Sequence, residues 1–235
     1  MLFRSRDVGF TRRDIYNLCN KEKRKMRSKG DAATALGIMA DRKKRDPSFF
    51  YDFELDEDGH LNRLFWCDSQ SRQDYDDFGD VGVFDSTYKM NRYGMPFIPF
   101  VGLNNHRKTT VFACAIVSDE TEATYTWLLQ TFLKAMCQKM PRSVITDADA
   151  AMIRAIRQVL PDVWHRICTW HIEKNMKIHL SHKSLNQFRT LLYYATSITT
   201  FEERIVGIGN RAPRSSSLGF IVNLPRTTSH SPALL

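Results

Sequence analysis

The chain has 235 residues, 43% hydrophobic and 26% charged, which is the composition of an ordinary globular protein with room for one sizeable core and smaller flanking pieces. The formal net charge is +8, no apolar run approaches the ~20 residues of a membrane span, and the start MLFRSRDVGF lacks the apolar centre of a secretion signal. A cytosolic or nuclear location is the default expectation. Five scattered cysteines without a CxxC pair make poor material for a disulfide framework, so a reducing compartment, cytosol or nucleus, is expected.

In chain order, residues 1–45 form a basic segment with 14 Lys and Arg against 5 Asp and Glu. Helices are predicted at 11–29, with Thr11 as N-cap and Phe10 and Ile15 as a hydrophobic staple, and at 32–45, ended by Pro47. Such an arm can neutralise DNA phosphates, dock on the acidic segment beside it, or simply be solvated; KEKRKMRSK and DRKKR also have the composition of nuclear localisation signals. Residues 46–80, with 2 basic side chains against 11 acidic ones, read as an acidic hairpin and linker, its strands at 49–55 and 60–67 joined by the turn DEDG. The hairpin aromatics Phe49, Phe50, Tyr51, Phe65 and Trp66 suit core packing or stacking on unpaired bases.

From residue 81 the pattern becomes regular. Strands are predicted at 81–89, 95–104 and 109–118, an antiparallel meander whose middle member carries prolines suited to its start or to an edge. An amphipathic helix follows at 122–139, then a strand at 143–147, a helix at 148–160, a strand at 163–169 and a helix from 170 to 180. Cys114 and Cys137 lie in apolar patterns and are expected in the core. Three antiparallel strands followed by parallel strands with crossover helices give an α/β fold with a mixed sheet, in the order of the ribonuclease H-like fold. The core is placed at 81–205. Residues 206–235, rich in Gly, Pro, Ser and Thr, are expected to be a disordered tail.

Two aspartates close strand-like runs: Asp85 in VGVFDSTYK and Asp147 in SVITDADAAM. Alone, each would usually be only a turn former or a helix N-cap. In the ribonuclease H-like fold, whose order this is, the first and fourth strands lie side by side, which would bring the two carboxylates together where a divalent cation can be held beside a phosphodiester. Asp149 is an alternative ligand or a helix cap. A third acid is expected from a late helix, where Glu173, Glu202 and Glu203 are the candidates. In CTWH, Cys168 and His171 lie three apart and are a zinc-ligand pair or, equally, a buried thiol with a histidine at a helix start; His165, His179 and His182 lie nearby.

Several blocks occur together and in order: RDIYNLCNKEKRK, SFFYDFELDEDGHLNRLFWCDSQSRQDYDDFGD, VFDSTYKMNRYGMPFIPFVGLNNH, SDETEATYTWLLQTFLKAM, SVITDADAAMIRAI and HRICTWHIEKN. Over residues 8 to 204 the chain resembles the plant FAR-RED IMPAIRED RESPONSE and FAR-RED ELONGATED HYPOCOTYL family, derived from Mutator-like element (MULE) transposases. The resemblance implies a MULE transposase core in which Asp85 and Asp147 are the first two ancestral catalytic aspartates, with Mg²⁺ or Mn²⁺ as their metal. It also implies that Cys168 and His171 are metal-binding, with Zn²⁺. It implies a nuclear transcription regulator of light signalling or development, contacting DNA and family-member proteins as homo- or heterodimer, with no membrane partner. The family's N-terminal zinc-binding DNA-recognition domain, third catalytic acid and later SWIM zinc finger have no counterpart in the sequence. A truncated, catalytically degenerate core is therefore expected, against the alternatives of a Mg²⁺-dependent strand-transfer or nuclease core and a non-functional fragment.

Overall fold

The computed structural model describes residues 31–86, 91 and 93–194. The helix expected at 11–29, the tail at 206–235, and Glu202 and Glu203 lie outside them.

The first described element, helix α1 (Asp31–Arg45), buries none of its residues. Part of its basic last turn serves the fold. Lys43 donates to the carbonyls of Pro47 (2.7 Å) and Phe49 (2.8 Å), and the Arg42 guanidinium lies 5.8 Å from the Phe49 ring centroid. Strands β1 (Phe50–Leu55) and β2 (Leu61–Cys67) form the expected hairpin. Its turn is closed by the Asp56 carboxylate, which accepts from the N–H groups of Asp58 (3.0 Å) and His60 (2.7 Å), and by Gly59 at φ +79°. The hydrogen bond from the His60 N–H holds the Asp56 carboxyl below the usual carboxylate range.

Helix α2 (Ser69–Phe78) has no counterpart in the sequence reading. Its signal was an N-cap: the Asp68 carboxylate accepts from the Ser71 N–H at 2.8 Å. The apolar stripe that usually marks a helix is missing because a single residue, Tyr75, is buried. That side chain packs edge-on to Phe112 (5.1 Å) and Phe132 (5.0 Å) and donates its hydroxyl to Lys139 O.

Strands β3 (Val81–Phe84), β4 (Phe97–Leu103) and β5 (Thr109–Val117) make the antiparallel meander. β3 is shorter than the nine residues read from the sequence, stopping just before Asp85. Pro99 sits inside β4 rather than at its start or on an edge strand. On the β3 side the ladder ends at Phe84 opposite Phe100, so Pro99 lies past that partner, where no N–H is needed. The β1–β2 hairpin joins the same sheet, because β2 pairs antiparallel with β5.

Helix α3 (Glu122–Ala135), capped by Thr121, presents Leu128, Leu129, Phe132 and Leu133 to the sheet. It ends four residues earlier than the apolar spacing suggested, because Cys137 (φ 53°) and Gln138 (φ 63°) turn left-handed. Cys137 is thereby exposed, contrary to the core position expected, and its Sγ lies 3.3 Å from Arg72 Nη2. Parallel strands β6 (Ser143–Thr146) and β7 (Trp164–Ile167) flank helix α4 (Ala150–Val159); α5 (Thr169–His179) and α6 (His182–Tyr194) follow. The sheet order is β1-β2-β5-β4-β3-β6-β7, a mixed α/β architecture with six helices among the described residues. Its core is aromatic: Phe65, Phe84, Phe100, Phe112, Tyr75 and Phe132 are all buried. The hairpin rings Phe49 and Phe65 are thus used in packing, and Phe50 meets Phe65 edge-on.

Candidate functional site

Parallel neighbours end on the same rim of a sheet. Val83 lies opposite Ile145 in the β3–β6 ladder, so Asp85 and Asp147, each two residues on, emerge side by side. The two aspartates singled out from the sequence, about sixty positions apart, are therefore brought together. Burial, with added repulsion from Asp149 and Asp85, pushes the Asp147 carboxyl up, although the N–H of Asp149 donates to it at 3.2 Å. Asp149 itself takes the capping role, accepting from Met152 N at 2.8 Å at the start of α4.

Cys168 lies between β7 and α5, and His171 lies in the first turn of α5. Cys168 continues the ladder through its N–H to Thr146 O (2.7 Å) and holds the N-cap position without a side-chain cap bond. The His171 imidazole turns toward the carboxylates, with Nε2 at 3.8 Å from Asp85 Oδ1, while its Nδ1 is buried without a hydrogen-bond partner. His165 stays apart: its Nε2 meets the Thr146 hydroxyl at 2.8 Å, and burial holds its pKa down at about 4, so it is neutral at neutral pH.

Glu173, the described candidate for a third acid, is committed elsewhere. Its carboxylate accepts from Arg189 Nε (2.8 Å), pairs with Lys177 (3.3 Å) and accepts from the Tyr193 hydroxyl (3.2 Å). Arg189 first, and Lys177 after it, hold it below the ordinary carboxylate range. The donor chemistry of Asp85 and Asp147 suits a hard divalent cation, and that of Cys168 and His171 suits zinc. Among the described residues, no three His, Cys, Asp or Glu side chains come together as a metal-holding group.

Two acids on the same rim escaped the sequence reading. β5 runs parallel to β3 across the meander, so Asp119 and Glu120, just past its end, face the same way as Asp85. Glu120 accepts from the Tyr125 hydroxyl at 3.2 Å, and burial of that phenol, with the charges of Glu120, Asp149 and Asp147 around it, pushes its pKa up. Asp119 is a structural clamp. Burial would raise its pKa, but hydrogen bonds from Thr124 (2.6 Å), Thr121 (2.7 Å) and the Thr121 N–H (3.0 Å) hold it at about 2. The signal was available in SDETEAT, where an acid and a capping threonine precede a helix whose first turn carries a second threonine.

A carboxyl held below its unfolded value adds stability above that value, and the contribution is lost as the pH falls toward the folded one. Asp119→Asn is therefore expected to cost on the order of 1–2 kcal/mol at pH 7. In urea titrations the gap from the unaltered chain should narrow between about pH 4 and about pH 2. A gap that is constant over this range would contradict the charged clamp.

A family profile of the MULE transposase domain matches residues 81–175, from the start of β3 into α5. Among curated relatives from Arabidopsis thaliana, Protein FAR1-RELATED SEQUENCE 5 is 37% identical over 201 residues, covering 83% of this chain and 25% of the relative. Protein FAR-RED IMPAIRED RESPONSE 1 is 35% identical over 169 residues (72% of this chain, 20% of the relative). Protein FAR1-RELATED SEQUENCE 4 is 33% identical over 181 residues (77% and 25%). The chain thus spans about a quarter, or less, of the length of these relatives.

Proposed function

Because the chain belongs to the plant FAR1-related family and carries its MULE-derived domain, we propose that it acts in the nucleus as a transcription regulator that uses a ribonuclease H-like transposase core as a binding platform. The strand order β5-β4-β3-β6-β7, with its antiparallel start and parallel end, supports the ribonuclease H-like assignment. Its partners on this reading are DNA, met through phosphate contacts from basic side chains, and other members of the family. The name of Protein FAR-RED IMPAIRED RESPONSE 1 speaks of a far-red response, which supports light signalling as the process.

The observation that carries a binding role over a cutting one is the state of Glu173. Two-metal strand chemistry calls for a carboxylate cage, and Glu173, the late-helix acid among the described residues, is instead paired with Arg189 and Lys177. Asp85 and Asp147 would hold Mg²⁺ or Mn²⁺ when it is bound, and the ion would supply charge compensation to a DNA phosphate there. Cys168 and His171 would give two of the donors of a zinc site.

The test is DNA binding measured against salt. Duplex affinity is expected to fall roughly tenfold or more between about 50 and about 200 mM salt, as release of counterions from two or more phosphates requires. With divalent metal chelated, Asp85→Asn should leave duplex affinity within about twofold, because basic side chains then carry the phosphate contacts. Salt-insensitive or absent binding would count against the regulator reading. Mg²⁺-dependent nicking by the unaltered chain that is lost in Asp85→Asn would establish the nuclease alternative in its place.

A further inference from the structure

One large aromatic side chain borders the carboxylate pair and is not used in packing. Trp170, in the first turn of α5, is 59% exposed. It is held in place all the same. Its ring stands edge-to-face on His171 at 4.7 Å and 81°, and His171 reaches Asp85. One helical turn on, the exposed Lys174 ammonium lies 5.0 Å from the indole centroid. A single exposed indole is ordinary on a surface; this one is set apart by its place beside the carboxylate pair, with the His171 ring and the Lys174 ammonium both against it. Buttressed aromatic faces with a mobile cation next to them are the ordinary equipment for holding unpaired bases: the ring stacks on any base, and the ammonium meets the neighbouring phosphate.

We propose that Trp170 and Lys174 form a stacking site for an unpaired base of a single-stranded DNA segment that lies against the Asp85–Asp147 rim. The proposal rests on the nucleic-acid reading above and refines it, from phosphate contact alone to recognition of unpaired strand. Stacking does not depend on base identity, so the site tolerates sequence and selects for strand opening, as at frayed ends, bubbles or overhangs. Trp164 provides the internal comparison. It is also exposed (40%) and lies beside a cation, Arg166, but it begins β7, at the end of the sheet away from the carboxylates.

The experiment is fluorescence anisotropy with the full chain, chelator present, on a short thymidine oligonucleotide and on a blunt duplex. Trp170→Ala is expected to weaken single-strand binding roughly five- to 150-fold, with Trp170→Phe recovering most of it. Duplex affinity should change less than about twofold in both variants, because phosphate contacts carry it. Trp164→Ala should leave both affinities within about twofold. Equal losses on both DNA forms, no loss on either, or an equal effect of Trp164→Ala overturns the proposal. Salt-dependent duplex binding with no Trp170 effect removes this inference alone. If the unaltered chain binds neither DNA form, the reading beneath it falls as well. Unchanged urea midpoints of the variants guard against a folding explanation, as expected for an exposed ring.

Discussion

Replacing Phe132 by alanine should cost about 3–5 kcal/mol of stability, a large part of what a domain of this size possesses. Phe132 is 1% exposed and lies at the hub of the core. Its ring stacks on Phe100 at 4.7 Å and 13°, meets Tyr75 edge-on at 5.0 Å, and meets Phe84 at 5.7 Å and 65°. These three partners come from β4, α2 and β3, so the truncation opens a cavity between three elements that are themselves fixed by the sheet, and collapse into it is limited. Thermal unfolding should drop by roughly 6–20 °C, and Phe132→Leu should recover most of the loss. The effect reaches the functional rim. Phe84 immediately precedes Asp85, and its contacts with Phe132 and with Phe100 (4.6 Å) hold the end of β3 where the carboxylate emerges. A loss under about 1 kcal/mol would mean that the aromatic hub is not the centre of the core.

Gly102→Ala is the second large effect, and it acts by overfilling. A Cβ at position 102 would lie 2.4 Å from the Phe112 ring and 2.9 Å from the backbone oxygen of Val81. Neither neighbour can yield easily. Phe112 is fully buried with Tyr75 set edge-on against it at 5.1 Å, and the Val81 oxygen belongs to strand β3. Relief requires β3 and β4 to separate, at a cost of about 1–3 kcal/mol or more. The double variant Gly102→Ala with Phe112→Leu removes one of the two clashes and should regain part of the loss. Amide exchange should show β3 losing protection ahead of the rest of the sheet. Full stability in the single variant would show that the β3–β4 spacing is looser than described.

The sequence and the structure part company in a few instructive places. Helices α3 and α4 were readable because their apolar residues recur at helical spacing. α2 was not, since a ten-residue helix with one buried side chain carries no such stripe. The overlong reading of α3 followed apolar residues past Ala135, where the left-handed residues Cys137 and Gln138 had already ended the helix; neither is a glycine, the usual stop signal. The hairpin was legible as a hairpin but not as two further strands of the sheet, because pairing with β5 is a long-range match between edges that local pattern does not encode.

The candidate site divides along the same line. The sequence indicated that Asp85 and Asp147 terminate strands, and the likeness of the element order to the ribonuclease H-like fold indicated that those strands are neighbours; the β3–β6 pairing agrees. Directions of side chains were decided only in three dimensions. Glu173 turned away from the rim to Arg189 and Lys177, His171 turned toward Asp85, and Glu120 reached the same rim from β5. The physical reason is range: strand ends and helix starts are set by interactions within a few residues, whereas the partner of a charged side chain is chosen by whichever opposite charge or donor the folded chain carries into reach.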